Sequence, residues 1–169
     1  MNSSKFYRAP WGMMLIVISA LTTILCLGIP AIEFIKPHNN KDFALFLPVL
    51  LLAGGALFII KGYTLTNDTL IIHRLFWDTQ LPLAGLKSAD QNMNPLRGAI
   101  RTWGNGGLYS FTGYYYSKPL GTFRMYATDL KKLVVIYFAK GAAVISPENP
   151  EEFVRSINNI IMPPDGGLL

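Results

Sequence analysis

Charge is missing from two long stretches of this sequence: neither Trp11–Ile32 nor Phe43–Ile60 contains an Asp, Glu, Lys or Arg. Cysteine is almost missing too. Cys26 is the only one among 169 residues, which excludes an intramolecular disulfide and a cysteine-built metal site. The only histidines, His38 and His73, are far apart, and no metal or cofactor is expected. The single thiol leaves the redox compartment open.

Enzyme signatures are absent as well. There is no Gly-x-x-x-x-Gly-Lys phosphate loop and no Gly-x-Ser-x-Gly elbow, and Gly104-x-Gly106 lacks a third spaced glycine and opens a strand instead of a helix. His73 alternates with the apolar residues around it, as a solvent-facing or hydrogen-bonded strand residue does. Glu151 and Glu152 stand where the dipole of a helix N-terminus favours negative charge. No catalytic residue is expected.

What is present begins with those two apolar runs. At helical rise they measure roughly 33 Å and 27 Å against a hydrocarbon core of about 30 Å, so both are long enough to span. A buried core helix is the competing reading, but core helices seldom go so long without a charge. Lys5 and Arg8 resemble the basic start of a cleaved signal peptide, yet the apolar stretch is too long for one. Thr23-Ile-Leu-Cys26 places a bulky leucine where a lipoprotein signal needs a small residue.

The polar connector Glu33–Asp42 suits the turn of a helical hairpin, so residues 1–60 are expected to form two antiparallel spans, about 11–32 and 43–60. Pro48 falls in the first turns of the second, where a missing N–H costs least. Lys5, Arg8, Lys61 and Arg74 lie on one side and Lys36 and Lys41 on the other, which places both termini and the following domain in the cytoplasm. The spans contain only Ser19, Thr22 and Thr23 as polar groups, a poor lining for a transport path; a role as accessory subunit of a transport complex is the minor alternative.

From Lys61 the period changes from helical to two-fold. Residues 61–162 make one domain and 163–169 a short tail. This part carries 11 basic and 8 acidic residues, too slight an excess for nucleic acid. Anionic head groups, worth on the order of 1 kcal/mol per well-placed Lys or Arg, or a mixed solvated surface explain it.

Tyr63–Thr66 and Thr69–Leu75 flank Asn67-Asp68 as a hairpin, Thr79–Leu83 returns as an edge strand with Pro82, and Leu86–Gln91 adds another. Asn67-Asp-Thr69 is a glycosylation sequon in a turn too short to use it. Arg101–Tyr109 reads as a glycine-rich loop feeding a strand with Tyr109, Phe111 and Tyr115 on one face and Gly113 at a bulge or close contact. Leu120–Thr128 alternates, Leu133–Ala139 is the most buried strand, and Ala142–Ser146 is the last. Asn149, Pro150 and Glu152 are the start signals of a helix whose Phe153, Ile157, Ile160 and Ile161 form one stripe.

About seven antiparallel strands in two bent sheets, closed by one C-terminal helix, is the order of a pleckstrin homology fold. Tyr63–Leu70, Arg101–Tyr109 with Gly113-Tyr114, Tyr126–Thr128 and Ile145–Val154 together resemble the bacterial PH-domain family of membrane proteins, whose members often carry an N-terminal transmembrane hairpin. The resemblance implies fold and membrane association. The lysine-rich first loop of phosphoinositide-binding relatives is replaced here by Asn67-Asp68.

The candidate partner surface is the segment around Arg97, Arg101, Trp103, Asn105 and Tyr109, extended by Lys118 and Arg124, because large rings and arginines anchor interfaces. Two functions follow. A membrane-held interaction or scaffolding module would dock a protein partner or a second copy through this surface, with lipids as its integral surroundings. A sensor of head groups or small anions would instead gather Arg97, Arg101 and Lys118 around one pocket.

Overall fold

The computed structural model describes residues 4–35 and 46–161. It opens on a strand, β1 (Lys5–Arg8), where the sequence suggests only a basic flank. Tyr7 points inward and is fully buried, while Lys5, Phe6 and Arg8 point out. β1 pairs antiparallel with β2 (Ile60–Leu65), Tyr7 opposite Tyr63 and Arg8 opposite Gly62.

Between these partners the chain leaves the sheet. α1 (Met13–Ile35) contains Met13–Ile32, the one helix among the described residues long and apolar enough to cross a membrane by length and composition. Its foot is tied to the domain: Gly12 N–H donates to Thr128 O at 2.9 Å, and Thr128 Oγ1 donates to Pro10 O at 2.7 Å. The helix runs on through Glu33, and the rest of the expected connector, 36–42, lies outside the described residues.

The second apolar run departs from expectation. α2 covers only Leu47–Ala56, about 15 Å at helical rise and half of what a span needs. Gly54 and Gly55 weaken the helix at its end, and β-branched Ile59 and Ile60 turn the chain into β2, with Ile60 fully buried in the core. Among the described residues there is therefore one candidate span with a short apolar helix packed against it, and a hairpin of two full spans is not shown.

β2 folds back on β3 (Thr69–Arg74) across Asn67-Asp68, and β4 (Asp78–Pro82) closes the sheet β1-β2-β3-β4 as its edge, with Pro82 at its end. A second sheet holds β5 (Leu86–Asp90), β6 (Ile100–Gly106), β7 (Phe111–Ser117), β8 (Gly121–Ala127), β9 (Val134–Phe138) and β10 (Ala142–Ile145) in the order β5-β9-β10-β8-β7-β6. That makes ten strands among the described residues where about seven were expected, and β10 runs parallel to β8 where antiparallel pairing was expected.

β6 is the strand hidden by its glycines. Gly104 stands opposite Gly113, both at positive φ, and a Cβ on either would strike the backbone of the facing strand. The glycines serve a close approach of two strands instead of a loop.

Two cores result. Between the sheets pack Tyr63, Leu65, Leu70 and Ile72 from the first and Val134, Ile136, Ala143 and Ile145 from the second. α3 (Pro150–Ile161) adds Phe153 and Ile157. The opposite face of the second sheet holds Phe111, Phe123, Met125, Val135 and Val144, closed by Leu15 of α1. β9 is thus buried on both faces, which accounts for its unbroken apolar run.

The Tyr63 hydroxyl pins the two sheets: it donates to Tyr126 O at 2.7 Å and accepts from Ser146 N–H at 3.2 Å. Burial pushes its pKa up to about 12. α3 starts where the sequence signals, with Phe153 N–H donating to Asn149 O at 3.0 Å. It is tied to β1 by the Lys5–Glu152 ion pair and by Tyr7 OH donating to Ser156 Oγ at 2.9 Å.

Candidate functional site

A bulge decides where the aromatic and basic residues go. In β6 the pairing with β7 shifts between Arg101 and Trp103, so Thr102 is the extra residue. Arg101 stands opposite Tyr115 on the side of the second core. There it lines a cavity of about 450 Å³ with Met93, Leu96, Phe111 and Met125. Burial pushes the Tyr115 phenol up in pKa, and the Arg101 charge partly offsets this.

Trp103 stands opposite Tyr114, on the other face, and is 78% exposed. Ile100, Tyr114 and Tyr116 share that outer face and are exposed with it. Arg124, opposite Tyr114 on β8, sets its guanidinium 5.5 Å from the Tyr114 ring centroid. It also lines, with Lys140, a groove of about 550 Å³ running between Leu81-Pro82 and the β8–β10 side.

The remaining basic residues stand apart from both. Arg97 follows the 3₁₀ turn Asn94–Leu96 and is exposed, as is Lys118 in the β7–β8 turn. Arg101 and Arg124 thus face opposite sides of one sheet, and the four cations do not surround a common pocket.

Asn105 and Tyr109 belong to a different arrangement. Asn105 holds the β6–β7 turn from within, its Nδ2 donating to Leu108 O at 2.5 Å and its Oδ1 accepting from Leu108 N–H at 3.0 Å. Tyr109 does not continue the Phe111–Tyr115 face; it sits in the turn at φ 64°. Its N–H donates to Ser19 Oγ at 2.9 Å, Ser19 Oγ donates to Gly107 O at 3.2 Å, and its hydroxyl lies 2.9 Å from Thr23 Oγ1. A Cβ on Gly55 of α2 would strike Leu108, so the turn is wedged between the two helices. Ser19 and Thr23 read in sequence only as polar exceptions in a span. Their i,i+4 spacing, which puts both on one helical face, was the available signal.

Two further clusters stand on the first sheet, of which the one around Arg74 escaped the sequence reading and the one around His73 fits a hydrogen-bonded strand residue. Arg74, 7% exposed, is enclosed by the rings of Phe58, Trp77 and Tyr126 at 5.5–5.7 Å from their centroids. Its Nε donates to Thr79 Oγ1 at 3.1 Å, its Nη1 has no hydrogen-bond partner, and burial pulls its pKa down. The period of β3 announces this, since Leu70, Ile72 and Arg74 all point inward. The surrounding rings offer the cation their π faces.

His73 lies 2.8 Å from Thr64 Oγ1 and 2.9 Å from Asp78 Oδ1, the order of a nucleophile, base and acid. It stands on the outer face of the first sheet beside the Phe6 ring, and the cavities described above are lined by other residues. The three side chains tie β2, β3 and β4 together.

The family model for the bacterial PH domain matches residues 61–161. No curated protein and no solved structure matches the chain.

Proposed function

The chain belongs to the bacterial PH domain family, and from that premise we propose that it is a membrane-anchored, non-catalytic interaction module that docks a protein partner or a second copy of itself at the inner face of the membrane. The observation that carries this reading is the exposed face formed by Ile100, Tyr114 and Tyr116, with Arg124 over Tyr114 and Trp103 at its border. Rings beside an arginine are the residue types that anchor interfaces. β6 is also an edge strand, open to a partner's strand.

Strand pairing supports the anchoring. β1 precedes α1, β2 follows α2, and the two strands are hydrogen-bonded neighbours, so both ends of the intervening segment lie on one side of any bilayer. A crossing by α1 then requires a return, and the apolar run that holds α2 is the segment available for it. Lys5, Arg8 and Lys61 lie on the domain side, which favours the cytoplasm. Recognition of a head group or small anion is the second reading, favoured by the groove that Arg124 and Lys140 line.

Gentle detergent extraction of the tagged full-length chain, compared with a Tyr116→Ser/Arg124→Glu variant, tests the docking surface. A stoichiometric second protein, or a second copy, is expected with the wild type and lost with the variant. Recovery of the same solitary chain from both would overturn it.

A further inference from the structure

We infer that the β6–β7 turn, Gly106–Ser110, lies inside the lipid as a third wall beside α1 and α2, an inference that rests on α1 being a span as proposed above. The turn is bonded to Ser19 and Thr23. These stand about 9 Å and 15 Å along the helix from Met13. Were the bilayer to begin beyond Thr23, only Ile24–Ile32 would remain before Glu33, about 14 Å of apolar helix against a core of about 30 Å. α1 reaches across only if the turn that touches it is submerged.

Lipid requires that the polar groups of irregular backbone be satisfied from within the protein, and much of this turn is so satisfied. Gly107 N–H donates to Ser110 O at 3.0 Å, and Gly107 O accepts from Ser19 Oγ. Both backbone groups of Leu108 are bonded to the Asn105 side chain, and Tyr109 N–H is bonded to Ser19. Back along β6, Trp103 stands about 10 Å from Gly106, and the Arg101 guanidinium reaches back along the strand to lie beside Gly106, at the root of the turn.

Single-tryptophan proteins in vesicles of phosphatidylcholine and phosphatidylglycerol test this by quenching with chain-brominated lipid and with aqueous iodide. In a Trp11→Phe/Trp77→Phe/Trp103→Phe background, Leu108→Trp reports on the turn and Ile24→Trp on the helix. We expect both to lose most of their emission to brominated chains and to resist iodide. An Ile24→Trp probe quenched by lipid beside a Leu108→Trp probe quenched by iodide would overturn the submerged turn and leave the span standing. Iodide quenching of both would overturn the span itself and the inference with it. Should Leu108→Trp misfold, the protein that keeps only native Trp103 decides: quenching by brominated lipid supports the inference, and quenching by iodide alone overturns it.

Discussion

α1 and α3 dock on the same β-domain, each through one stripe of side chains, and differ in what they leave outside. α3 buries Phe153 and Ile157 and exposes Glu151 and Arg155, whose charged ends lie 3.7 Å apart one turn along the helix. α1 buries Leu15 and Ser19 and exposes Met13, Met14, Ile16, Val17, Leu21 and Ile24. The two helices are attached alike, yet one outer face is charged and the other apolar.

The largest expected effect tests where each helix stores its stability. Phe153→Ala is expected to lower unfolding free energy in detergent by about 3–5 kcal/mol, whereas Ile24→Ala on the outer face of α1 stays within about 0.5 kcal/mol. Equal losses in urea titrations would break the comparison. The second prediction concerns the water-facing domain alone. Tyr63 has its pKa raised from 10.0 to about 12 by burial, so the stability it contributes is fully present below pH 10 and is lost as pH rises from there through the folded value. Integrated over that window the loss is about 2–3 kcal/mol. Thermal melts across it should fall less steeply for Tyr63→Phe, and an unchanged slope would refute the assignment. The smallest effect compares the ties that hold the helices. Ser19→Ala leaves Gly107 O and Tyr109 N–H unpaired at a buried site and should cost about 1–3 kcal/mol. Ser156→Ala, in the part-buried bond from Tyr7 to α3, should cost about 0.5–1 kcal/mol, because water can take its place.

What could be read from the residues was whatever local chemistry decides. Asn149-Pro150 starts α3, Asn67-Asp68 turns β2 into β3, and the apolar run around Val134–Ile136 marks a strand covered on both sides. What escaped depends on partners distant in sequence. Four residues, Lys5–Arg8, become a strand only because Ile60–Leu65 supplies the other half of the ladder. Gly104 suggests a loop until it is seen facing Gly113, whose place in a strand already suggests a bulge or close contact. At the candidate site, residue types were legible and sides were not. One extra residue, Thr102, separates Arg101 from Trp103 onto opposite faces, and bulges leave no mark in hydrophobic periodicity.

The pairing of Arg8 with Gly62 also sets a schedule for synthesis. At a translation speed of about 5–20 residues per second, the first strand waits on the order of several seconds for its neighbour to be made. The whole apolar segment emerges during that wait. The first sheet therefore closes only after the whole apolar segment between its first two strands has been made.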